Sequence, residues 1–183
     1  MSKSLEIEAR FLNLKQKDIE EKLIKLGAQK IGEYFFKEWI FHYPEWDTHG
    51  RRRIRLRTDG KKHTLTYKAN PTWEVDSTEE IEFDVSSADE AMQFMKATDI
   101  PLQRYQEKKR IRYKLRDMTF ELDFWPKIPM VLEIEAPSKE VVKEGAGLLG
   151  LDWKDAVFVD QKMVHEQYYH IDLDKYRDYR FDS

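Results

Sequence analysis

Apolar and charged side chains alternate along much of this chain. In SLEIEARFL, residues 4–12, the charged side chains Glu6, Glu8 and Arg10 alternate with apolar ones. Successive residues of a β-strand point to opposite faces, so this pattern predicts a strand with one charged face and one apolar face. The same alternation returns in STEEIEFDV and in MVLEIEAPS, which we also predict to be strands.

A β-hairpin is predicted over residues 51–68, RRRIRLRTDGKKHTLTYK, because Asp59-Gly60 is a strong signal for a two-residue turn. Such a turn would place Arg53 opposite Thr66. The charged side chains of both strands would then share one face, and the apolar side chains would share the other.

A second hairpin is predicted over residues 106–126. A two-residue turn midway along this stretch would place Arg112 opposite Glu121 and Arg110 opposite Asp123. Opposite charges that face each other across a strand pair stabilise it by roughly 0.2–1 kcal/mol. The charges therefore favour this register.

Four further segments have the spacing of amphipathic helices, and they begin near residues 15, 87, 138 and 161. Eight predicted strands with few helices indicate an α+β fold. We expect an eight-stranded antiparallel sheet closed into a β-barrel, with a charged interior and helices packed outside. We assign residues 1–172 to one domain and residues 173–183 to a polar, loosely held C-terminal tail.

The charged faces are sorted by sign. Carboxylates form doublets at a spacing of two in four strands, whereas residues 51–57 and 108–112 carry only basic side chains on the charged face. One interpretation is an open sheet with one face exposed to solvent. The other is a barrel around a hydrated bore, where both signs would serve a polyphosphate with a divalent metal. A nucleic-acid surface is a minor third interpretation.

Composition narrows the classes of partner. Charged residues make up 37% of the 183, but the formal net charge is only −3, which argues against a general nucleic-acid binder. No run of about 18 apolar residues and no signal peptide is present, so we expect a cytoplasmic protein that does not enter the membrane. The absence of cysteine excludes disulfides and thiolate metal sites.

The charged motifs resemble, in order, those of the CYTH superfamily of triphosphate tunnel metalloenzymes. Glu6-x-Glu8-x-Arg10 is similar to its ExExK motif, and Glu133-x-Glu135 is similar to its last acidic strand. Between them lie five further matches: Arg55-x-Arg57, LTYK ending at Lys68, Glu80-x-Glu82, Lys108-x-Arg110-x-x-Tyr113 and Asp123. The resemblance spans roughly residues 4–150.

The resemblance implies a metal-dependent enzyme that acts on a triphosphate inside the barrel. Mg²⁺ or Mn²⁺ would be held by Glu6, Glu8, Asp123, Glu133 and Glu135. The triphosphate would be bound by Arg10, Arg55, Arg57, Lys68, Lys108 and Arg110. Glu8, Arg10 and Lys68 are the candidate catalytic residues.

We expect hydrolysis of a phosphoanhydride bond of tripolyphosphate, ATP or thiamine triphosphate. Two alternatives remain open: a class IV adenylyl cyclase that forms cyclic AMP and pyrophosphate, and a non-catalytic module that binds polyphosphate or a nucleotide. Arg10 stands where the family usually has lysine. Arginine keeps the positive charge, but its planar guanidinium replaces the compact ammonium group of lysine. A homodimer also remains open.

Overall fold

The structure is a computed structural model that describes residues 7–43, 45–46, 52–69 and 79–182. Glu6, a predicted metal ligand, lies outside the described residues. The strands are β1 Ile7–Phe11, β2 Gln29–Phe41, β3 Arg53–Thr58, β4 His63–Ala69, β5 Glu79–Asp84, β6 Leu102–Leu115, β7 Met118–Phe124, β8 Val131–Ala136 and β9 Asp178–Tyr179. The α-helices are α1 Gln16–Lys25, α2 Ala88–Ala97, α3 Lys139–Leu148 and α4 Gln161–Tyr169.

The protein has the predicted α+β fold, with eight long strands in one antiparallel sheet. Hydrogen bonds join these strands in the order β1-β8-β7-β6-β2-β3-β4-β5, and β9 pairs with β6. Among the described residues β1 and β5 end this path, so the sheet is open and the predicted closure of the barrel is not formed. The outer edge of β1 is instead occupied by Val157, which exchanges two backbone hydrogen bonds with Arg10.

The described chain divides into two compact units. Unit A comprises residues 7–34 and 109–169, and unit B comprises residues 35–108 and 170–182, without the undescribed residues inside these ranges. Strands β2 and β6 contribute residues to both units.

Unit A has its own hydrophobic core on one face of β1, β8 and β7. Ala9 and Phe11 of β1 pack with Ile134 of β8, and helices α1 and α3 cover them. The alternation of the strands therefore turns the charged side chains of unit A to the face opposite these helices.

Unit B has a separate core between β3 and α2. Leu56 and Phe41 pack against Ala91 and Met95 of α2. In this unit, too, the helix covers the apolar face and leaves the charged side chains of β3 on the other face.

Serine side chains cap the first turns of two helices. The Ser87 hydroxyl accepts a hydrogen bond from the Glu90 amide at the start of α2. The Ser138 hydroxyl accepts one from the Val141 amide at the start of α3. Each hydroxyl satisfies a backbone N–H that the helix itself leaves unpaired.

The first predicted hairpin forms with a different register. Arg53 faces Lys68 rather than Thr66, because a four-residue loop, residues 59–62, replaces the predicted two-residue turn. The Asp59 carboxylate accepts hydrogen bonds from the amides of Lys61 and Lys62, which stabilises the longer loop. The slip is two residues, so every side chain stays on its predicted face.

The second hairpin forms as predicted. Arg112 faces Glu121 and Arg110 faces Asp123, and the turn lies between Leu115 and Met118. The predicted opposition of charges across this hairpin is confirmed.

The C-terminal segment is held more firmly than its polar composition predicts. Strand β9 runs parallel to β6, with Asp178 facing Tyr105. Leu173 is buried and Tyr179 is fully buried. The expectation of a loosely held tail is therefore wrong for residues 173–182, because two apolar side chains anchor it. In the described ranges, no helix is both long and apolar enough to cross a bilayer.

Candidate functional site

The charged face of unit A carries a group of side chains that we call the acidic cluster. It consists of Glu8, Arg10, Arg110, Arg112, Glu121, Asp123, Glu133 and Glu135, from β1, β6, β7 and β8. Five carboxylates meet three guanidinium groups, which leaves two negative charges in excess. Most of these side chains are buried, so their charges must be paired or bind an ion.

Arg10 lies between two carboxylates of different strands. One guanidinium nitrogen, Nη2, contacts Glu8 and lies 2.8 Å from a Glu133 oxygen. The other, Nη1, donates a 2.8 Å hydrogen bond to the backbone carbonyl of Val159. Burial would lower the pKa of Arg10, but Glu8 and Glu133 outweigh it and raise that pKa further above its usual value. Arg10 is therefore a permanent positive charge inside the cluster.

Arg110 forms the second bridge in this cluster. Its guanidinium binds Asp123 through two hydrogen bonds of 2.5 and 2.6 Å, and it also contacts Glu121. Arg112 donates to the same Glu121 carboxylate at 2.7 Å. Asp123 and Glu121 are thus neutralised by fork-shaped contacts, which are among the strongest that a carboxylate forms with a side chain.

Glu135 differs from the other carboxylates of the acidic cluster. Among the described residues its carboxylate has no hydrogen bond and no ion pair, and Glu135 faces Glu8 directly across the β1–β8 pair. Burial raises the pKa of Glu135, and the charges of Glu121, Glu133 and Glu8 raise it further. Like charges that face each other destabilise a strand pair, so this position favours a bound cation.

The charged face of unit B has the opposite balance, and we call its side chains the basic cluster. It consists of Glu38, Arg53, Arg55, Arg57, Lys68, Glu80, Glu82, Arg104, Gln106 and Lys108. Six cationic side chains meet three carboxylates, which leaves three positive charges in excess.

Glu38 organises one part of the basic cluster. Its carboxylate accepts a 2.7 Å hydrogen bond from Arg57 and a 2.6 Å hydrogen bond from the Gln106 amide. Only 1% of Glu38 is exposed. Burial alone would raise the pKa of Glu38, but the charges of Arg57, Arg55 and Lys108 outweigh it and hold that pKa well below its usual value.

The other part of the basic cluster pairs β3 and β4 with β5. Lys68 lies 2.5 Å from Glu80, and Arg55 lies 3.3 Å from Glu82. Burial and the neighbouring Arg57 charge lower the pKa of Arg55 to about 10. Burial is the larger of these two effects, and the nearby Glu38, Glu80 and Glu82 charges oppose both of them.

A comparison with protein-family models identifies the family to which this chain belongs. The CYTH domain model matches residues 4–146, which include strands β1 to β8. The chain belongs to the CYTH domain family. A search of curated proteins finds no match to this CYTH chain.

Solved structures share the fold of the CYTH chain. A protein from Pyrococcus horikoshii OT3 is 27% identical, with a TM-score of 0.71, over 85% of this chain and 99% of its own. A proposed adenylate cyclase from Vibrio parahaemolyticus is 14% identical, with a TM-score of 0.75. The match covers 89% of this chain and 98% of that protein. A Hippeastrum protein with a dominant triphosphatase activity is 13% identical, with a TM-score of 0.59. The match covers 93% of this chain and 98% of that protein.

The acidic cluster of the CYTH chain brings the described predicted metal ligands to one face, with guanidinium groups between them. Within the described residues, the oxygens of these ligands do not form a group of three within 4.8 Å of one another. The donor set nevertheless fits Mg²⁺ or Mn²⁺, because both prefer carboxylate oxygens and the cluster has an excess of negative charge. Glu8, Glu133 and Glu135 suit this role better than Asp123, which Arg110 binds with both oxygens.

The predicted phosphate-binding residues divide between the two clusters. Arg55, Arg57, Lys68 and Lys108 belong to the basic cluster. Arg10 and Arg110 belong instead to the acidic cluster, where each contacts carboxylates.

Three members of the basic cluster were not predicted from the sequence: Glu38, Arg104 and Gln106. Arg104 and Gln106 extend the alternation of Lys108 and Arg110 towards the start of β6, so the pattern could have revealed them. Glu38 stands among the aromatic residues of β2 and has no second carboxylate at a spacing of two. A charged residue in such a strand is a sign of a buried ion pair.

Proposed function

We propose that this CYTH chain is a divalent-metal-dependent triphosphatase that hydrolyses a phosphoanhydride bond of tripolyphosphate or of an organic triphosphate. Membership of the family supports an enzyme that acts on triphosphates. The observation that carries the proposal is the sorting of buried charge: an excess of carboxylates in the acidic cluster and an excess of cations in the basic cluster. A metal and a polyphosphate would neutralise these two excesses.

In this proposal the acidic cluster holds the metal. Glu8, Glu133 and Glu135 would supply oxygen ligands to Mg²⁺ or Mn²⁺, together with Glu6, which lies outside the described residues. A bound divalent metal neutralises phosphate oxygens and lowers the pKa of a coordinated water. Arg110 would keep Glu121 and Asp123 neutralised, so that the metal ligands keep their places.

The basic cluster would bind the phosphate chain. Arg55 and Arg57 can each donate two hydrogen bonds to phosphate oxygens, whereas Lys68 and Lys108 act as point charges. Glu38 holds Arg57 in place through its 2.7 Å hydrogen bond. These cations would stabilise the charge that develops on the leaving phosphate when the bridging P–O bond breaks.

An assay of products tests the proposal. Wild-type protein is incubated with Mg²⁺ or Mn²⁺ and with tripolyphosphate, ATP or thiamine triphosphate, and phosphate, pyrophosphate and cyclic AMP are measured. We expect metal-dependent release of orthophosphate from at least one of them. Cyclic AMP with pyrophosphate would instead support the adenylyl cyclase alternative, and binding without turnover would support a non-catalytic module.

Two matched substitutions make the assay specific to the site. Glu133→Gln removes one proposed metal ligand, and we expect a loss of activity of about a hundredfold or more because the ligand acts in the chemical step. Glu144→Gln is the control, since Glu144 pairs with exposed Arg116 on the surface of the same unit. Equal activity of the two variants would contradict the proposed site.

A further inference from the structure

Arg10 is held through both its backbone and its side chain. In β1 it faces Glu133 of β8, and on its other edge it exchanges backbone hydrogen bonds of 2.9 and 2.8 Å with Val157. Two residues further along, the carbonyl of Val159 accepts a hydrogen bond from the Arg10 side chain. Both the backbone and the guanidinium of Arg10 therefore have defined partners in this structure.

The guanidinium of Arg10 contacts two of the carboxylates proposed to bind the metal. Glu8 and Glu133 lie on different strands, and Nη2 of Arg10 bridges them. A divalent metal that uses these same oxygens competes with an existing charge-assisted contact, which is one of the stronger contacts available to a carboxylate.

The other buried arginine of this cluster does not compete in the same way. Arg110 directs its two hydrogen bonds to Asp123, and its distance to the Glu133 oxygen is 3.7 Å. Arg10 is thus the cation whose main partners are the proposed ligands.

We propose that Arg10 acts as a tethered cation that occupies the metal-binding carboxylates and sets the affinity of the site for divalent metal. The inference rests on the proposed function, since it assumes that Glu8, Glu133 and Glu135 bind the metal. Metal binding requires the Arg10 guanidinium to release Glu8 or Glu133. The side chain is then available to an anionic substrate, so metal and polyphosphate are expected to bind cooperatively.

The test is a titration of the metal-free protein with Mn²⁺, in which free Mn²⁺ is measured by electron paramagnetic resonance. Arg10→Met removes the competing charge and keeps an unbranched side chain of similar length. We expect Mn²⁺ to bind this variant about tenfold more tightly than wild type, the change that corresponds to one charge-assisted hydrogen bond. Unchanged or weaker binding by a folded Arg10→Met would overturn the inference.

A second variant keeps the inference testable if Arg10→Met does not fold. Arg10→Lys retains a positive charge but cannot hold Glu8, Glu133 and the Val159 carbonyl with a planar fork. Its Mn²⁺ affinity should fall between those of wild type and Arg10→Met, and an affinity at or below that of wild type counts against the inference. Arg116→Met is the matched control, because Arg116 is exposed and pairs only with Glu144 in the described structure. This control variant should bind Mn²⁺ as wild type does.

The same titration separates this inference from the proposed function. If Glu133→Gln and Glu135→Gln bind Mn²⁺ as wild type does, the metal site itself is wrong. If both lose Mn²⁺ while Arg10→Met shows no gain, only the role of Arg10 is wrong. Addition of tripolyphosphate should tighten Mn²⁺ binding to wild type and have a smaller effect in Arg10→Met.

Discussion

At the scale of single residues, the acidic cluster contains pairs of carboxylates that face each other across neighbouring strands. Glu8 faces Glu135 and Glu121 faces Glu133 across neighbouring strands. Arg110 contacts Glu121, but no guanidinium contacts Glu135 among the described residues. Like charges that face each other destabilise a strand pair, and the metal that we propose would relieve this repulsion.

Glu135→Gln is therefore expected to stabilise the metal-free protein. Because burial and neighbouring carboxylates raise the pKa of Glu135, its ionised form opposes folding at neutral pH. The gain should be about 0.5–1 kcal/mol, since solvent screens a half-buried group. Urea unfolding at pH 7 in the presence of a chelator measures it.

The same variant should lose its response to metal. Wild type is expected to gain stability when Mn²⁺ is added, because the ion binds only the folded state, whereas Glu135→Gln should gain much less. A variant that is less stable than wild type without metal, or equally stabilised by Mn²⁺, would contradict this explanation of Glu135.

Glu38 has the opposite effect on stability. Its carboxylate is buried and bound to the partly buried Arg57, so Glu38→Gln leaves that guanidinium without its anion. Loss of one partner of a buried ion pair costs about 3 kcal/mol or more. The free energy of unfolding at pH 7, measured in urea, should fall by this amount.

The pH dependence of this loss has a definite sign. The pKa of Glu38 in the folded protein lies below its ordinary value of 4.5, so the unfolded chain takes up the proton first as pH falls. The stability that Glu38 contributes is fully present above pH 4.5 and decreases below it. The difference between wild type and Glu38→Gln should therefore shrink below that pH, and a constant difference from pH 7 to pH 3 would show that the charge of Glu38 is not its cause.

At the scale of elements, alternation along a strand predicts the face on which a side chain lies more reliably than it predicts the register of strand pairing. The hairpin between β3 and β4 slipped by two residues because the Asp59 carboxylate stabilises a longer loop, yet the charged face was predicted correctly. The hairpin between β6 and β7 kept its register because Arg112 and Arg110 each find a carboxylate opposite. A shift of two residues leaves every side chain on the same face of the sheet. The sequence can therefore predict the face of a side chain even where it does not predict the register.

Helix α3 offers a matched pair of glycines that tests how closely it packs on the sheet. A Cβ atom at Gly145 would lie 3.0 Å from the sulfur of Met118 and 3.2 Å from Ile134, whereas one at Gly147 would meet nothing within 4 Å. Gly145→Ala should destabilise the protein by about 1–2 kcal/mol through overpacking. Gly147→Ala should stabilise it by about 0.5–1 kcal/mol, because alanine favours the helix.

Thermal unfolding of both glycine variants measures the difference. A rise in Tm for both would mean that α3 does not approach β7 and β8 as closely as the structure shows.

Contacts between distant parts of the chain were beyond prediction from the sequence. Nothing in the pattern around Val157 indicates that it would pair with Arg10 at the edge of β1. Alternation and charge are local signals, whereas the choice of a partner about 150 residues away depends on how the whole unit packs.

At the scale of the whole molecule, the sequence predicted that most members of the two clusters lie on charged strand faces, but it did not predict their division between two units. The eight strands, the four helices and the charged faces follow from alternation and helical spacing. The openness of the sheet, the anchoring of residues 173–182 and the buried Glu38 did not follow, because each depends on tertiary contacts.

The measurement that tests the central claim most directly is a crystal structure with Mn²⁺ and a non-hydrolysable triphosphate analogue. Anomalous scattering at the manganese absorption edge locates the metal without reference to the model of the protein. We predict manganese bound by carboxylate oxygens of Glu8, Glu133 and Glu135, with phosphate oxygens bound by Arg55, Arg57, Lys68 and Lys108. Manganese bound only by other residues, or a triphosphate without contacts to these four cations, would contradict the account.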